Sequence, residues 1–92
     1  MTLAHVPGRN KGEVFLYALS TCQWCRKTKE LLTELGVDFS YVYVDLLSGA
    51  ELERVTGELL QWNRSRSFPT LVINNSTVIV GFREDRIREV LA

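Results

Sequence analysis

The chain has 92 residues, 46% of them hydrophobic, which suffices for one small domain with a modest core. Eleven basic and eleven acidic residues cancel to a formal net charge of zero, so no overall field draws the protein to nucleic acid or to a membrane surface. The longest apolar run is too short to span a bilayer, and the start of the chain lacks the charged and apolar regions of a secretory signal.

Residues 1–12 read as a leader, flexible or an edge strand, with turn chemistry at Pro7-Gly8 and Asn10-Lys11-Gly12. His5, in this polar stretch, reads as a solvated side chain rather than a ligand. The domain proper is expected over residues 13–92.

Val14 to Leu19 is an uninterrupted apolar run rich in β-formers and predicts a buried strand. Ser20-Thr21-Cys22-Gln23-Trp24-Cys25 follows and contains both cysteines of the chain. From Cys25 the pattern turns helical, with Thr28, Leu31, Leu32 and Leu35 on one face and Gly36 as the stop. Cys22 therefore stands where a strand gives way to a helix. There it meets unpaired backbone N–H groups and the positive end of the helix dipole, with Arg26, Lys27 and Lys29 close behind, all of which favour thiolate over thiol. Cys25 falls on the same helix face, within the reach of a disulfide.

A reactive thiolate with a second thiol in reach is a dithiol switch: Cys22 attacks a disulfide and Cys25 resolves the mixed disulfide. Zinc would need a second ligand pair, and neither another cysteine nor a nearby histidine supplies one, so no metal site is expected. A purely structural disulfide between residues three apart would close too short a loop to restrain the unfolded chain. A C-x-x-C of this kind suits a reducing compartment, and a cytoplasmic, monomeric protein is expected.

Phe39 to Asp45, β-branched and aromatic, predicts a second strand. Ser48 and Glu51 have the spacing of a capping box for a helix carrying Leu52, Val55, Leu59, Leu60 and Trp62 and ending near Asn63. Arg64 to Thr70 connects it to a hairpin, Leu71–Asn74 and Thr77–Val80, turning at Asn74-Asn75. Arg83-Glu84-Asp85 opens a last helix with Ile87, Val90 and Leu91 on one face. The order β-α-β-α-β-β-α defines an α/β chain with a four-stranded mixed sheet flanked by three helices.

Three stretches, in this order, resemble the glutaredoxin-like proteins of the thioredoxin fold. Cys22-Gln23-Trp24-Cys25 is similar to the family dithiol, and Ser67-Phe68-Pro69-Thr70 to its cis-proline loop. Val80-Gly81-Phe82-Arg83-Glu84-Asp85-Arg86-Ile87 resembles the Gly-Phe-Arg-x-Asp-x-Ile signature of NrdH-type redoxins. The resemblance implies a thiol-disulfide oxidoreductase and electron carrier that reduces protein disulfides, a ribonucleotide reductase among them. Thioredoxin reductase, a ferredoxin-linked disulfide reductase or glutathione would supply the electrons.

The resemblance also implies a substrate groove formed by Thr21, Gln23, Trp24, Phe68, Pro69, Thr70, Gly81, Phe82 and Asp85, with a cis peptide before Pro69 and the Phe68 backbone pairing with the substrate. The family often carries a cation at the position of Leu19 and a second glycine at that of Phe82, both for glutathione. Their replacement counts against a dedicated glutathione site, while Arg64, Arg66 and Asp85 are the residues that would serve one. Two further alternatives remain open on these residues: a glutathione-dependent glutaredoxin, and a module that binds or transfers an iron–sulfur cluster.

Overall fold

The structure is a computed structural model that describes residues 3–92. Five strands and three helices follow one another as β1 (Ala4–Val6), β2 (Val14–Ala18), α1 (Gln23–Glu34), β3 (Phe39–Tyr43), α2 (Gly49–Trp62), β4 (Thr70–Ile73), β5 (Thr77–Val80) and α3 (Glu84–Leu91). The sheet order is β1-β3-β2-β4-β5. Strands β2 and β3 are parallel, joined through α1, and every other pairing is antiparallel. This is the thioredoxin fold, as expected, with one strand more than the four anticipated.

The fifth strand comes from the leader. Ala4, His5 and Val6 pair with Tyr41, Ser40 and Phe39. The chain then stays pinned: the Arg9 N–H donates to Gly36 O (2.7 Å), and the Asp38 N–H donates to Arg9 O (2.9 Å). His5 Nε2 lies 2.7 Å from Asp38 Oδ1 in an exposed contact that holds the Asp38 carboxyl below its usual range. A three-residue strand of ordinary composition has no periodicity to announce it, so only its neighbour makes it a strand.

Alternation along the central strands divides the core. Val14, Leu16 and Ala18 of β2, with Leu71, Ile73 and Ile79, face a cluster closed by Leu31 and Leu32 of α1 and Ile87 and Leu91 of α3. Tyr17, Val42 and Val72 face the opposite way and pack on Val55 and Leu59 of α2. Helix α1 ends in a Schellman motif. Gly36, at φ +70°, donates to Thr33 O, Val37 donates to Leu32 O, and the buried Leu32 and Val37 provide its apolar contact.

Two local expectations are corrected. Strand β3 stops at Tyr43 rather than Asp45, because Val44–Leu46 tightens into a 3-10 turn and Asp45 folds back on Ser20. Ser48 stands at the N-cap of α2, but its hydroxyl makes no capping hydrogen bond. Gly49 enters the helix at φ +59°, which turns the chain away from capping-box geometry. Among the described residues, no helix is long and apolar enough to cross a membrane.

A Cβ at Gly8 would lie 2.6 Å from Gly36 O and 2.7 Å from Val37 C, both backbone atoms that cannot yield. Gly8→Ala is therefore expected to strip amide protection from residues 4–9, at about 1–3 kcal/mol, while residues 14–18 keep theirs. Native-state hydrogen exchange checks this; unchanged protection across β1 would refute the close docking.

Candidate active site

The parallel β2–β3 pair sends both strand ends to the same edge of the molecule. Strand β4 begins at that edge, with Thr70 opposite Tyr17, and β5 ends there, with Val80 opposite Thr70. Four segments thus meet at one end of the sheet: 19–27, 44–47, 63–69 and 81–86. They contain every groove and dithiol residue singled out from the sequence except Thr70, which opens β4 directly after the third segment.

Cys22 is the N-cap of α1, in extended conformation and half-buried. Its Sγ accepts the Cys25 N–H at 3.1 Å, taking the place of the side-chain oxygen that usually caps a helix. Cys25 is buried, 2% exposed, within the core beneath α1. Burial pushes its thiol up to about 12, and its contact with Cys22 pushes the same way. The two sulfurs are unequal: one is reachable and served by a backbone donor, the other is shielded and held protonated. Both are free thiols.

Around them, Thr21 and Gln23 are exposed. Trp24 is 55% exposed and stacks on Phe82, with ring centroids 5.8 Å apart and planes 22° off parallel. Lys27 Nζ lies 5.9 Å from the centre of the Trp24 ring. The Phe68–Pro69 peptide is cis. Phe68 is half-buried, and its N–H and C=O take part in no hydrogen bond among the described residues. Gly81, at φ +84°, donates its N–H to Pro69 O (2.8 Å), which ties the end of β5 to the proline loop. Pro69 and Thr70 are fully buried, so Thr70 offers no surface to a ligand and supports the loop from behind. Asp85 is exposed in the first turn of α3, beside a shallow cavity shared with Phe82, Arg83 and Arg86.

Two residues not singled out as site residues, Asn63 and Asp45, hold this constellation in place. Asn63 Nδ2 donates to Ser67 O, Ser67 Oγ and Thr70 Oγ1 at 3.1–3.2 Å, and its Oδ1 accepts from the N–H and hydroxyl of Ser65. One side chain thus shapes the whole loop before Pro69. Its only sequence signal is an asparagine followed by alternating serines, which favour side-chain-to-backbone turns. The Asp45 carboxylate accepts both the N–H and the hydroxyl of Ser20, and these bonds hold it below the usual carboxylate range. It anchors the segment leading into Cys22 from 25 residues away in sequence, a contact with no local signature. Within the loop held by Asn63, Arg66 adopts φ +53°, a left-handed conformation that costs an ordinary L residue about 1–2 kcal/mol.

A reachable sulfur capped by a backbone N–H, a buried partner thiol and a cis-proline loop beside them define a thioredoxin-fold dithiol protein. Comparison with known proteins narrows the class. The glutaredoxin family model matches residues 14–78, and the chain belongs to the glutaredoxin family. Its members are thiol-disulfide oxidoreductases. A glutaredoxin from Methanosarcina mazei Go1 shares 54% identity across all of this chain and 89% of its own, with a TM-score of 0.91. Methanoredoxin from Methanosarcina acetivorans shares 50% identity over 92% of this chain and 90% of its own, with a TM-score of 0.88. At 24% identity, the NrdH-redoxin of Escherichia coli shares the fold, with a TM-score of 0.66 over 85% of this chain and 93% of its own.

Two outcomes are expected. In the reduced protein at pH 8, iodoacetamide should modify Cys22 alone. Cys25 should react only on unfolding or as pH rises toward 12, because its raised value keeps the thiol protonated below that range; mass spectrometry after a short pulse decides. Arg66→Gly should raise the Tm by a few degrees, since glycine takes φ +53° without strain and loses part of that gain to its more flexible unfolded state. A lowered Tm would place the Arg66 side chain among the contacts that stabilise the fold.

Proposed function

We propose that the protein is a cytoplasmic dithiol electron carrier that reduces protein disulfides in the manner of an NrdH-type redoxin. The observation that carries this reading is the unequal pair: Cys22 Sγ half-exposed and hydrogen-bonded to the Cys25 N–H, with the Cys25 thiol buried behind it. The Cys22 thiolate attacks one sulfur of a substrate disulfide, forms the mixed disulfide and releases the other sulfur as a thiolate. Cys25 gives up its proton as its sulfur attacks Cys22 Sγ, which closes the Cys22–Cys25 disulfide and expels the second substrate thiolate. Two electrons have then passed to the substrate, whose two thiolates take up the Cys25 proton and one from solvent, and an external dithiol reductase must return the electrons.

The surroundings support a polypeptide substrate. The uncommitted N–H and C=O of Phe68 suit an added extended strand. The stacked Trp24 and Phe82 offer an apolar seat beside it. Leu19 packs into the core facing α2 and supplies no cation where a glutathione carboxylate would bind. A ribonucleotide reductase is one recipient this reading admits, with thioredoxin reductase or a ferredoxin-linked disulfide reductase as donor. A second reading, a glutathione-dependent glutaredoxin, draws on the 54%-identical glutaredoxin and on the exposed Arg64 and Arg66.

Equilibration at graded ratios of reduced to oxidised glutathione, followed by alkylation and mass measurement, separates the two. The carrier reading expects a Cys22–Cys25 disulfide that persists until the buffer is strongly reducing, with no adduct. An adduct on Cys22 at intermediate ratios would establish glutathione as the partner. Cys22→Ser should abolish disulfide reduction and Cys25→Ser should accumulate the mixed disulfide; normal turnover by Cys22→Ser would overturn the assignment of the nucleophile.

A further inference from the structure

The chain is neutral as a whole, but its charge is not evenly spread. The four segments around the dithiol, 19–27, 44–47, 63–69 and 81–86, carry six cations against three carboxylates. Of these, Glu84 pairs with Arg88 and Arg86 pairs with Glu89, outside the four segments, which leaves five cations against two carboxylates. On the cationic side, Arg26, Lys27, Arg64 and Arg66 are all exposed, and none forms an ion pair among the described residues. Arg54 and Arg88, by contrast, are paired, with Glu58 and with Glu34. The dithiol end is therefore a positive pole with unspent charge.

Placement of one of these cations is also costly. Arg66 holds a left-handed backbone that glycine would take more readily, within a loop that Asn63 fixes by five hydrogen bonds. Arg64 and Arg66 come from the loop before Pro69, whereas Arg26 and Lys27 come from the first turns of α1, with Lys27 over the Trp24 ring. A small anion would need donors that converge on one point. Cations spread over two separate segments, with a free strand edge at Phe68 and the Trp24–Phe82 pair among them, fit a longer acidic chain.

We propose that this face selects protein disulfides set within an acidic polypeptide segment, whose aspartates and glutamates are drawn to Arg26, Lys27, Arg64 and Arg66. The proposal rests on the dithiol-exchange reading above and adds its substrate class. Its chemistry is that exchange: the protein's dithiol becomes a disulfide and the acidic segment's disulfide becomes two thiols.

The test uses pre-reduced protein and two synthetic disulfide peptides, identical except that Asp and Glu flank the cystine in one and Lys in the other. Thiol release is followed by stopped flow in single turnover. At low ionic strength the acidic peptide should be reduced about tenfold or more faster, and the preference should collapse in 1 M salt. Arg64→Gln combined with Arg66→Gln should remove most of it, and Arg54→Gln, on the flank of α2, none. Equal rates at low salt, or a preference that survives high salt or the double substitution, would overturn the charge selection while leaving the exchange chemistry standing. Failure to reduce either peptide would overturn both. Oxidised glutathione reduced as fast as the acidic peptide, with the same salt dependence, would show that the pole reads small anionic disulfides and not a polypeptide.

Discussion

The hydrogen bond from the Cys25 N–H to Cys22 Sγ is the contact on which the rest of the site depends. It requires a helix to begin exactly one residue after Cys22, with the sulfur standing where a capping oxygen usually stands. That start in turn requires β2 to end at Ala18 and the chain to turn at once, a turn closed by the Cys22 N–H to Leu19 O and held from outside by Asp45 on Ser20. The same helix start carries Cys25 one turn further, down into the core. Reactivity at one sulfur and shielding at the other are thus two results of a single backbone geometry.

The architecture explains why so many distant residues reach this point. A parallel β2–β3 pair brings two strand ends to one edge, and the antiparallel β4–β5 hairpin begins and ends at the same edge. Loops from across the chain then have only one place to meet. The Gly81 N–H to Pro69 O bond and the Asn63 cluster fix the proline loop against that meeting point. Side chains that face solvent there, Trp24, Phe82 and the unpaired cations, are free to serve recognition because the backbone and buried Thr70 do the holding.

The leader illustrates the opposite balance. Pro7-Gly8 reads as a turn, yet Gly8 matters because backbone from residues 36–38 lies against it, leaving no room for a side chain. Ser48 and Glu51 carry the local signature of a capping box, and the left-handed entry at Gly49 overrides it. Local propensity is a weak force of around 1 kcal/mol, and a tertiary constraint of a few kcal/mol displaces it.

By itself the sequence determined the succession of elements from Val14 onward and the dithiol at a strand-to-helix junction. Each of these follows from periodicity or from neighbours a few residues apart: the continuous apolar runs of β2 and β4, the helical stripe of Thr28, Leu31 and Leu32, the glycine stop at Gly36. Tertiary structure alone decided that residues 4–6 become a strand, that Cys25 is buried while Cys22 is not, and that Asn63 and Asp45 organise two loops. It also decided that Arg26, Lys27, Arg64 and Arg66, from two distant stretches, stand unpaired around the dithiol of a neutral chain. Those outcomes depend on contacts between segments tens of residues apart, and the energy of such a contact exists only once the chain has closed on itself.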